Sequence, residues 1–175
     1  MALREIVKYP DPVLLAPTQE VDTIDADIRR LVRDMVETMH AAPGVGLAAN
    51  QVGVPLRVAV IDLSVGKDPT QVLVLINPKI ISLEGARAEE EGCLSLPGIT
   101  EVVERSLIAD VEALNLDGKR IRIRGEELMA RALLHEIDHL NGGLFIEHLS
   151  PLKRTLARKK IRKLIQTGEW AAVGS

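Results

Sequence analysis

The first regular pattern in the chain is a run of apolar residues at helical spacing before residue 40. An apolar side chain recurs at every third or fourth position, which predicts a helix with one buried face. Asp25 can cap its start, and Ala42-Pro43-Gly44 ends it near His40. Residues 1–20, which include Tyr9-Pro10-Asp11-Pro12, are predicted to be an irregular arm because proline restricts its neighbours. The apolar positions of the helix are Ile28, Leu31, Val32, Met35, Val36 and Met39.

Short apolar runs between turn residues predict strands in the middle of the chain. Asn77-Pro78 is predicted to end the second of these strands. Asn115-Leu116-Asp117-Gly118 predicts a hairpin turn between the last two. The predicted strands are Val58–Leu63, Val72–Ile76, Ile80–Leu83, Leu107–Leu114 and Ile121–Arg124.

Two more helices are predicted in the last third of the chain. The first runs from Leu128 to about Asn141 and stops at Gly142-Gly143. Its first half is apolar almost all round, which indicates a buried helix. Ser150-Pro151 opens a C-terminal helix that continues to about Gln166. Strands mixed with a few helices predict an α+β fold, with short mixed or antiparallel sheets around the buried helix.

The composition is that of an ordinary globular protein, and the length of 175 residues predicts a single domain over residues 1–175. Hydrophobic residues make up 46% and charged residues 27%, which excludes a disordered chain and a membrane protein. Aromatic residues make up only 2%, too few for stacking on single-stranded nucleic acid, and neither DNA nor a membrane is an expected partner. Cys93 is the only cysteine and no secretory signal is visible, so a cytoplasmic protein is expected.

Charge is distributed unevenly along the chain. Residues 151–175 carry seven Lys or Arg and one Glu, whereas the other 150 residues carry fifteen basic and twenty-four acidic side chains. The C-terminal helix and tail are therefore a cationic appendage on an acidic body. A solvated helix face and a docking site both fit this pattern. The basic residues are Lys153, Arg154, Arg158, Lys159, Lys160, Arg162 and Lys163.

The strongest chemical signal is the His135-Glu136-Ile137-Asp138-His139 motif on the predicted buried helix. Four residues along a helix return to nearly the same face, so both imidazoles can bind one metal ion. Glu136 lies about 100° around the helix from His135, where its carboxylate can reach a water molecule on that ion. The alternative is two core histidines and a surface glutamate. Unpaired polar groups on an apolar helix are costly, which favours the metal site.

A metal site of this kind needs a third protein ligand, and Cys93 is the best candidate. It lies in the turn-rich stretch Glu91–Gly98, and a thiolate beside a divalent cation is a good soft ligand. The alternative is a small buried apolar side chain, which is how free cysteine often behaves. His148 lies beyond the break after the motif helix, and His40 ends another helix.

The segment Gly44-Val45-Gly46-Leu47-Ala48-Ala49-Asn50-Gln51 is the third candidate site element. Its small residues permit close approach of a ligand or another strand. The Gln51 amide can donate a hydrogen bond to a developing oxyanion. A tight turn packed on the core is the alternative interpretation of this segment.

These three segments together resemble the peptide deformylases. That family carries a glycine- and alanine-rich loop ending in glutamine, a Glu-Gly-Cys-Leu-Ser stretch and a His-Glu-x-Asp-His variant of the histidine motif, matched here by residues 44–51, 91–95 and 135–139. Their order and spacing agree with the family, and Tyr9-Pro10-Asp11-Pro12 is similar to its opening. Three motifs in register are far more specific than any one of them.

The resemblance implies a hydrolase that removes the formyl group from N-formyl-methionyl nascent peptides and releases formate. It assigns Cys93, His135 and His139 to the metal, with water as the fourth ligand. Glu136 would take the proton of the water that attacks the formyl carbon and pass it to the departing amine. The family metal is Fe²⁺, and Zn²⁺, Ni²⁺ or Co²⁺ are possible substitutes, because this donor set suits all four.

The resemblance also implies the remaining site residues. The tetrahedral oxygen would be stabilised by the metal, the Gln51 amide and the backbone N–H of Leu94. The backbone of Gly44, Val45 and Gly46 would pair with an extended peptide. The implied walls of the methionine pocket are Val45, Leu128 and Ala132.

Charged residues around this pocket carry two further hypotheses. Glu89 and Arg131 stand near positions where a more apolar pocket is expected, and they can pair at its rim. Arg105 and Asp138 are candidates for an ion pair that orients the metal helix, although a solvated Arg105 fits as well. Ribosome contact through the basic C-terminal helix is implied by similarity to bacterial relatives.

Three other functions remain open on the sequence alone. A zinc endopeptidase would share the histidine motif, but it leaves Cys93 unexplained. A cysteine-nucleophile amidase would use Cys93 directly and would need no metal. A non-catalytic ribosome-associated module would depend only on the basic helix.

Overall fold

The computed structural model describes residues 2–170, so residues 171–175 of the predicted basic tail lie outside it. Within that range, helices α1 to α4 span Pro12–Leu15, Ala26–Ala41, Leu128–Leu140 and Pro151–Gln166. Strands β1 to β7 span Gly46–Ala48, Val58–Ile61, Leu73–Glu84, Arg87–Cys93, Leu96–Arg105, Ile108–Leu114 and Arg120–Glu126. Short 3₁₀ turns cover Ala49–Val52, Pro69–Gln71 and Phe145–His148.

The strands of residues 2–170 form two antiparallel sheets, which confirms the predicted α+β class. The larger sheet has the strand order β1-β2-β3-β6-β7, and β4 pairs with β5 as a separate hairpin. Alternate side chains of β2 face opposite sides of the sheet. Val58 and Val60 pack in the cluster that contains the apolar face of α2, whereas Ala59 and Ile61 pack against α3. The metal-motif helix is therefore buried against one face of the sheet.

The three longer helices lie where the sequence predicts them. Asp25 caps α2 by accepting a hydrogen bond from the Ile28 N–H, and Ser150 caps α4 in the same way from Lys153. Helix α4 docks through its buried Ala157 and Ile161 on the cluster that includes Phe145 and Trp170. Among the described residues, no helix combines the length and the apolar character needed to cross a bilayer.

Strand β3 corrects the prediction that a strand ends at Asn77-Pro78. A single strand continues from Leu73 to Glu84 and includes the separately predicted Ile80–Leu83. The pairing of β3 with β6 shifts register between Ile76 and Lys79, and Asn77 has a φ of 53°. The irregularity lets the strand pass the proline, which cannot donate to the ladder.

Helix α1, which lies in the arm predicted to be irregular, strand β1 and the β4–β5 hairpin are the elements that the sequence analysis missed. The hairpin is the largest of them. Its first strand contains Glu89, Glu90 and Glu91, a polar run that lacks the apolar alternation expected of a strand. The hairpin nevertheless pairs along its whole length from Arg87 opposite Arg105 to Cys93 opposite Leu96. It brings Cys93, at the end of β4, into contact with the buried helix.

Candidate functional site

The predicted metal donors converge in the structure. The ligand atoms of Cys93, His135 and His139 all lie within 4.8 Å of one another. The Cys93 Sγ and the His135 Nε2 are each 3.1 Å from the His139 Nε2. Helix α3 places the two imidazoles one turn apart, and the register of β4 with β5 brings the sulfur to them. One thiolate and two imidazoles are a suitable donor set for a divalent transition metal with an open fourth position.

The electrostatics of the cluster favour the thiolate form of Cys93, which is the form that binds a metal ion. Burial raises the pKa of the Cys93 thiol, but the neighbouring His139 and His135 outweigh it and lower the pKa to about 5. Burial lowers the pKa of His135, whereas its contacts with Cys93 and Glu91 raise it well above its ordinary value. A cation that binds here would displace the proton of His135.

Glu91 orients the first histidine of the motif. Its Oε2 lies 2.7 Å from the His135 Nδ1, so the Nε2 is turned toward the cysteine. Arg105 holds this carboxylate with two hydrogen bonds of 2.7 Å each, and Arg131 adds a third of 3.0 Å. Burial alone raises the pKa of Glu91, but these partners lower it below its ordinary value, so the group is a carboxylate. The sequence analysis included Glu91 in a motif but gave it no role.

Arg105 also pairs with Asp138, which confirms the proposed ion pair over the solvated alternative. Its Nη1 is 2.7 Å from the Asp138 Oδ2, and the residue is only 6% exposed. The same Asp138 oxygen lies 2.7 Å from the His148 Nε2. His148 therefore supports the motif helix from outside and does not join the donor cluster. His40 is also remote from the cluster and contacts Asp62 instead.

Glu136 is buried beside the three donors. It is 3% exposed, and its Oε1 has no hydrogen-bond partner among the described residues. Burial raises the pKa of this carboxyl, and the nearby imidazoles only partly offset that effect. Its other oxygen lies against the Cα of Gly46, where an added Cβ would overlap the carboxylate. The Glu136 carboxylate thus occupies space that is free only because residue 46 is a glycine.

Gln51 lies on the opposite side of the cysteine. Its Oε1 accepts a hydrogen bond of 3.0 Å from the Ala48 N–H, which fixes the orientation of the amide. Its Nε2 donates to the Ser95 Oγ at 3.1 Å and lies 3.6 Å from the Cys93 Sγ. A donor is therefore directed at the region beside the metal donors. Ser95, which the sequence analysis did not single out, shares in this positioning.

A cleft of about 960 Å³ opens onto these groups. Arg131 lines it, but the main carboxylate partner of this arginine is Glu91, since Glu89 is 4.0 Å away and pairs at 2.7 Å with Arg87. Leu128 lies at the mouth of the cleft and is 49% exposed, whereas Ala132 lies deeper. The cleft brings together all the predicted substrate and oxyanion residues: Gly44, Val45, Gly46, Gln51, Leu94, Leu128 and Ala132.

The model of the polypeptide deformylase family matches residues 3–155. The chain belongs to this family. The peptide deformylase of Acidobacterium capsulatum is 53% identical over 97% of this chain and 100% of that relative. The peptide deformylase of Rhizobium meliloti is 47% identical over 95% and 97% of the two chains.

Solved structures of the family superpose on the whole molecule. The crystal structure of a peptide deformylase from Legionella pneumophila has a TM-score of 0.88 and 45% identity, and covers 95% of this chain and 98% of its own. The peptide deformylase from Ehrlichia chaffeensis in complex with actinonin has a TM-score of 0.84 and 40% identity, with 93% and 98% coverage. The chain is therefore a metal-dependent hydrolase that removes N-formyl groups from newly made polypeptides. This sets aside the endopeptidase, cysteine-nucleophile and non-catalytic alternatives.

Proposed function

We propose that the chain hydrolyses N-formyl-methionyl peptides with Cys93, His135 and His139 holding one cation and Glu136 moving the proton. The observation that carries this proposal is a buried Glu136 oxygen that has no hydrogen-bond partner within residues 2–170 and lies beside three metal donors. Burying a carboxylate without a hydrogen-bond partner costs free energy. Its presence beside the metal donors therefore indicates that Glu136 has a role in the reaction.

Glu136 acts as base and then as acid. It accepts a proton from the water that attacks the formyl carbon and returns this proton to the departing amine nitrogen. Its raised pKa suits both roles, since a carboxyl that titrates closer to neutrality holds the proton long enough to deliver it. A cation held by Cys93, His135 and His139 would polarise the formyl oxygen and make water more acidic.

Two donors of this chain stabilise the oxygen anion that forms on the formyl carbon. The Gln51 amide is held at its Oε1 by the Ala48 N–H and at its Nε2 by the Ser95 hydroxyl, so this donor needs no reorganisation when charge develops. The backbone N–H of Leu94, the residue after the cysteine, is the second donor. Both residues line the cleft.

The peptide binds along Gly44, Val45 and Gly46. Gly46 begins β1, which is the first strand in the order of the larger sheet, so an extended peptide can add to this edge. The methionine side chain packs among Val45, Leu128 and Ala132, which are apolar and line the cleft.

The native cation is Fe²⁺, and Zn²⁺, Ni²⁺ or Co²⁺ can replace it. A thiolate and two imidazoles bind all four ions, and the preference for iron comes from the family resemblance. We place the reaction in the cytoplasm, because the single cysteine is suited to a reducing compartment. Contact with the ribosome is made through the exposed basic residues of α4.

A formate-release assay tests the proposal. The anaerobically purified protein is expected to contain iron and to release formate from formyl-Met-Ala-Ser, while acetyl-Met-Ala-Ser releases no acetate at a comparable rate. Exhaustive chelation is expected to abolish activity, and added Fe²⁺ or Ni²⁺ to restore it. Full activity after chelation, or equal hydrolysis of the acetyl peptide, would contradict the proposal.

A further inference from the structure

The pair formed by His40 and Asp62 takes no part in the chemistry described above. Asp62 follows β2 directly and is 0% exposed. His40 lies in the last turn of α2, and its Nε2 is 2.7 Å from the Asp62 Oδ2. A carboxylate accepts hydrogen bonds only, so the histidine is the donor. A fully buried carboxylate away from the reactive centre is costly and needs a reason to be there.

Asp62 remains well satisfied without the histidine. Its Oδ1 accepts from the Ser64 hydroxyl at 2.6 Å and the Ser64 N–H at 2.9 Å, and its Oδ2 accepts from the Gly66 N–H at 2.9 Å. The Ser64 hydroxyl is the main cause that lowers the pKa of Asp62 to about 2, with His40 and the two backbone donors adding to it against the effect of burial. The contact from His40 therefore joins α2 to a carboxylate that the neighbouring loop already holds.

Asp62 contacts the chain at both ends of one short segment. The segment comprises residues 41–45, which follow His40 directly. At its far end the Val45 carbonyl accepts a hydrogen bond of 2.8 Å from the Asp62 N–H. Four of its five residues, Ala41, Ala42, Gly44 and Val45, line the cleft. Asp62 thus holds residues 41–45, which form part of the cleft wall, both where the segment leaves α2 and where it enters β1.

We propose that the His40–Asp62 pair is a positioning device that holds the peptide-binding wall of the cleft in place. The inference rests on the proposed binding of the peptide by Gly44, Val45 and Gly46. The metal donors and Glu136 lie on α3 and the β4–β5 hairpin, which keep their own supports. Without the His40–Asp62 pair, the wall must become ordered when the peptide binds. Loss of the pair therefore weakens substrate binding more than it slows the chemical step.

Replacement of His40 by phenylalanine tests the pair. His40→Phe keeps a ring but removes the donor to Asp62. With matched cation content, we expect the KM for formyl-Met-Ala-Ser to rise about tenfold and kcat to stay within about twofold. His40→Gln can place an amide N–H near the position of the imidazole Nε2 and is expected to bring KM back to within about threefold of the original value.

A destabilised control separates positioning from general support of the fold. The Asn77 side chain bonds to the Val21 N–H and C=O at 2.8 and 2.9 Å, and Asn77 does not line the cleft. Asn77→Ala is expected to lower the Tm and leave KM unchanged. If Asn77→Ala raised KM as His40→Phe does, or if His40→Phe lowered the Tm alone, the pair would be only structural and the inference would be wrong. The same holds if His40→Gln behaves like His40→Phe.

Val45→Ala distinguishes failure of the inference from failure of its premise. This variant removes apolar contact area from the wall and is expected to raise KM. An unchanged KM in Val45→Ala would contradict the peptide-binding role of the segment, and with it the inference. A raised KM in Val45→Ala beside an unchanged KM in His40→Phe would contradict the inference alone.

Discussion

At the scale of single residues, the chemistry depends on one carboxylate. Glu136→Gln keeps the shape of the side chain but removes the base, and we expect kcat to fall at least about 10²-fold with the cation retained. The measurement combines formate release with metal analysis of the same sample. Glu90→Ala is the control, because Glu90 lines the same cleft with an exposed carboxylate and is expected to change kcat by less than about threefold. Loss of the cation in Glu136→Gln would show that this residue acts through the metal site.

Gly46 is the residue that makes room for this carboxylate. The Cβ of Gly46→Ala would overlap the Glu136 Oε2 and lie 2.9 Å from its Cδ, so either the base or the strand must shift. We expect kcat to fall more than about tenfold and the free energy of unfolding to drop by about 1–3 kcal/mol. Urea unfolding and formate release measure the two effects. Gly143→Ala is the matched control, since its added carbon meets nothing closer than 3.4 Å; an equal loss of kcat there would contradict the explanation.

The metal donors and the supporting Arg105–Asp138 pair could be predicted from the sequence, whereas the role of Glu91 could not. The spacing of His135 and His139 fixes their common face once the segment is helical, and Cys93 is the one remaining soft donor. Glu91 is separated from Arg105 by 14 positions and from His135 by 44, and no local pattern joins them. Only the pairing of β4 with β5 and the docking of that hairpin on α3 bring these charges together.

At the scale of elements, apolar periodicity predicted the helices and strands that contribute side chains to the hydrophobic core. Helices α2 and α3 and strand β2 each bury a regular set of side chains, so their patterns are strong. Strand β4 buries few side chains, and its polar run resembles a loop. Strand β3 passes Pro78 because its pairing with β6 is irregular there, a tertiary feature that overrides the local signal.

The buried arginine between β5 and α3 is expected to stabilise the assembly of these elements. Arg105→Met removes the guanidinium that Glu91 and Asp138 share. Glu91 loses two hydrogen bonds of 2.7 Å each, and Asp138 keeps its contact with His148. We expect a loss of about 3–5 kcal/mol in the free energy of unfolding and weaker cation binding, since Glu91 no longer holds His135 in place. Urea unfolding and titration with Ni²⁺ measure the two effects.

Arg124→Met is the control for this prediction. Arg124 also pairs with two carboxylates, those of Glu84 and Asp110, but its side chain is 51% exposed. Exposed ion pairs contribute little, so the expected loss is below about 1 kcal/mol with unchanged cation binding. A similar loss of unfolding free energy in Arg105→Met and Arg124→Met would mean that burial does not account for the stabilising effect of Arg105.

At the scale of the whole molecule, the cationic helix is attached by a narrow apolar stripe. Ala157 and Ile161 face the cluster around Phe145, while six of the seven basic residues of α4 are exposed. Deletion of the helix would expose that cluster to solvent and would also remove the positive charge. Truncation therefore cannot separate the loss of packing from the loss of charge. Neutralising exposed lysines leaves the docking intact and isolates the charge.

Lys160→Gln combined with Lys163→Gln tests the ribosome contact of α4. Each lysine that faces a phosphate contributes about 0.7 to the slope of the logarithm of affinity against the logarithm of salt concentration. We therefore expect binding to ribosomes in a sedimentation assay to weaken about tenfold at ~100 mM salt and the slope to fall by about 1.4, with deformylation of free formyl-Met-Ala-Ser unchanged. The control removes the same number of charges from the exposed Arg120 and Arg122 of β7. Equal weakening in the two double variants would mean that ribosomes attract the net charge of the protein rather than this helix, and no weakening in either would leave α4 a solvated face.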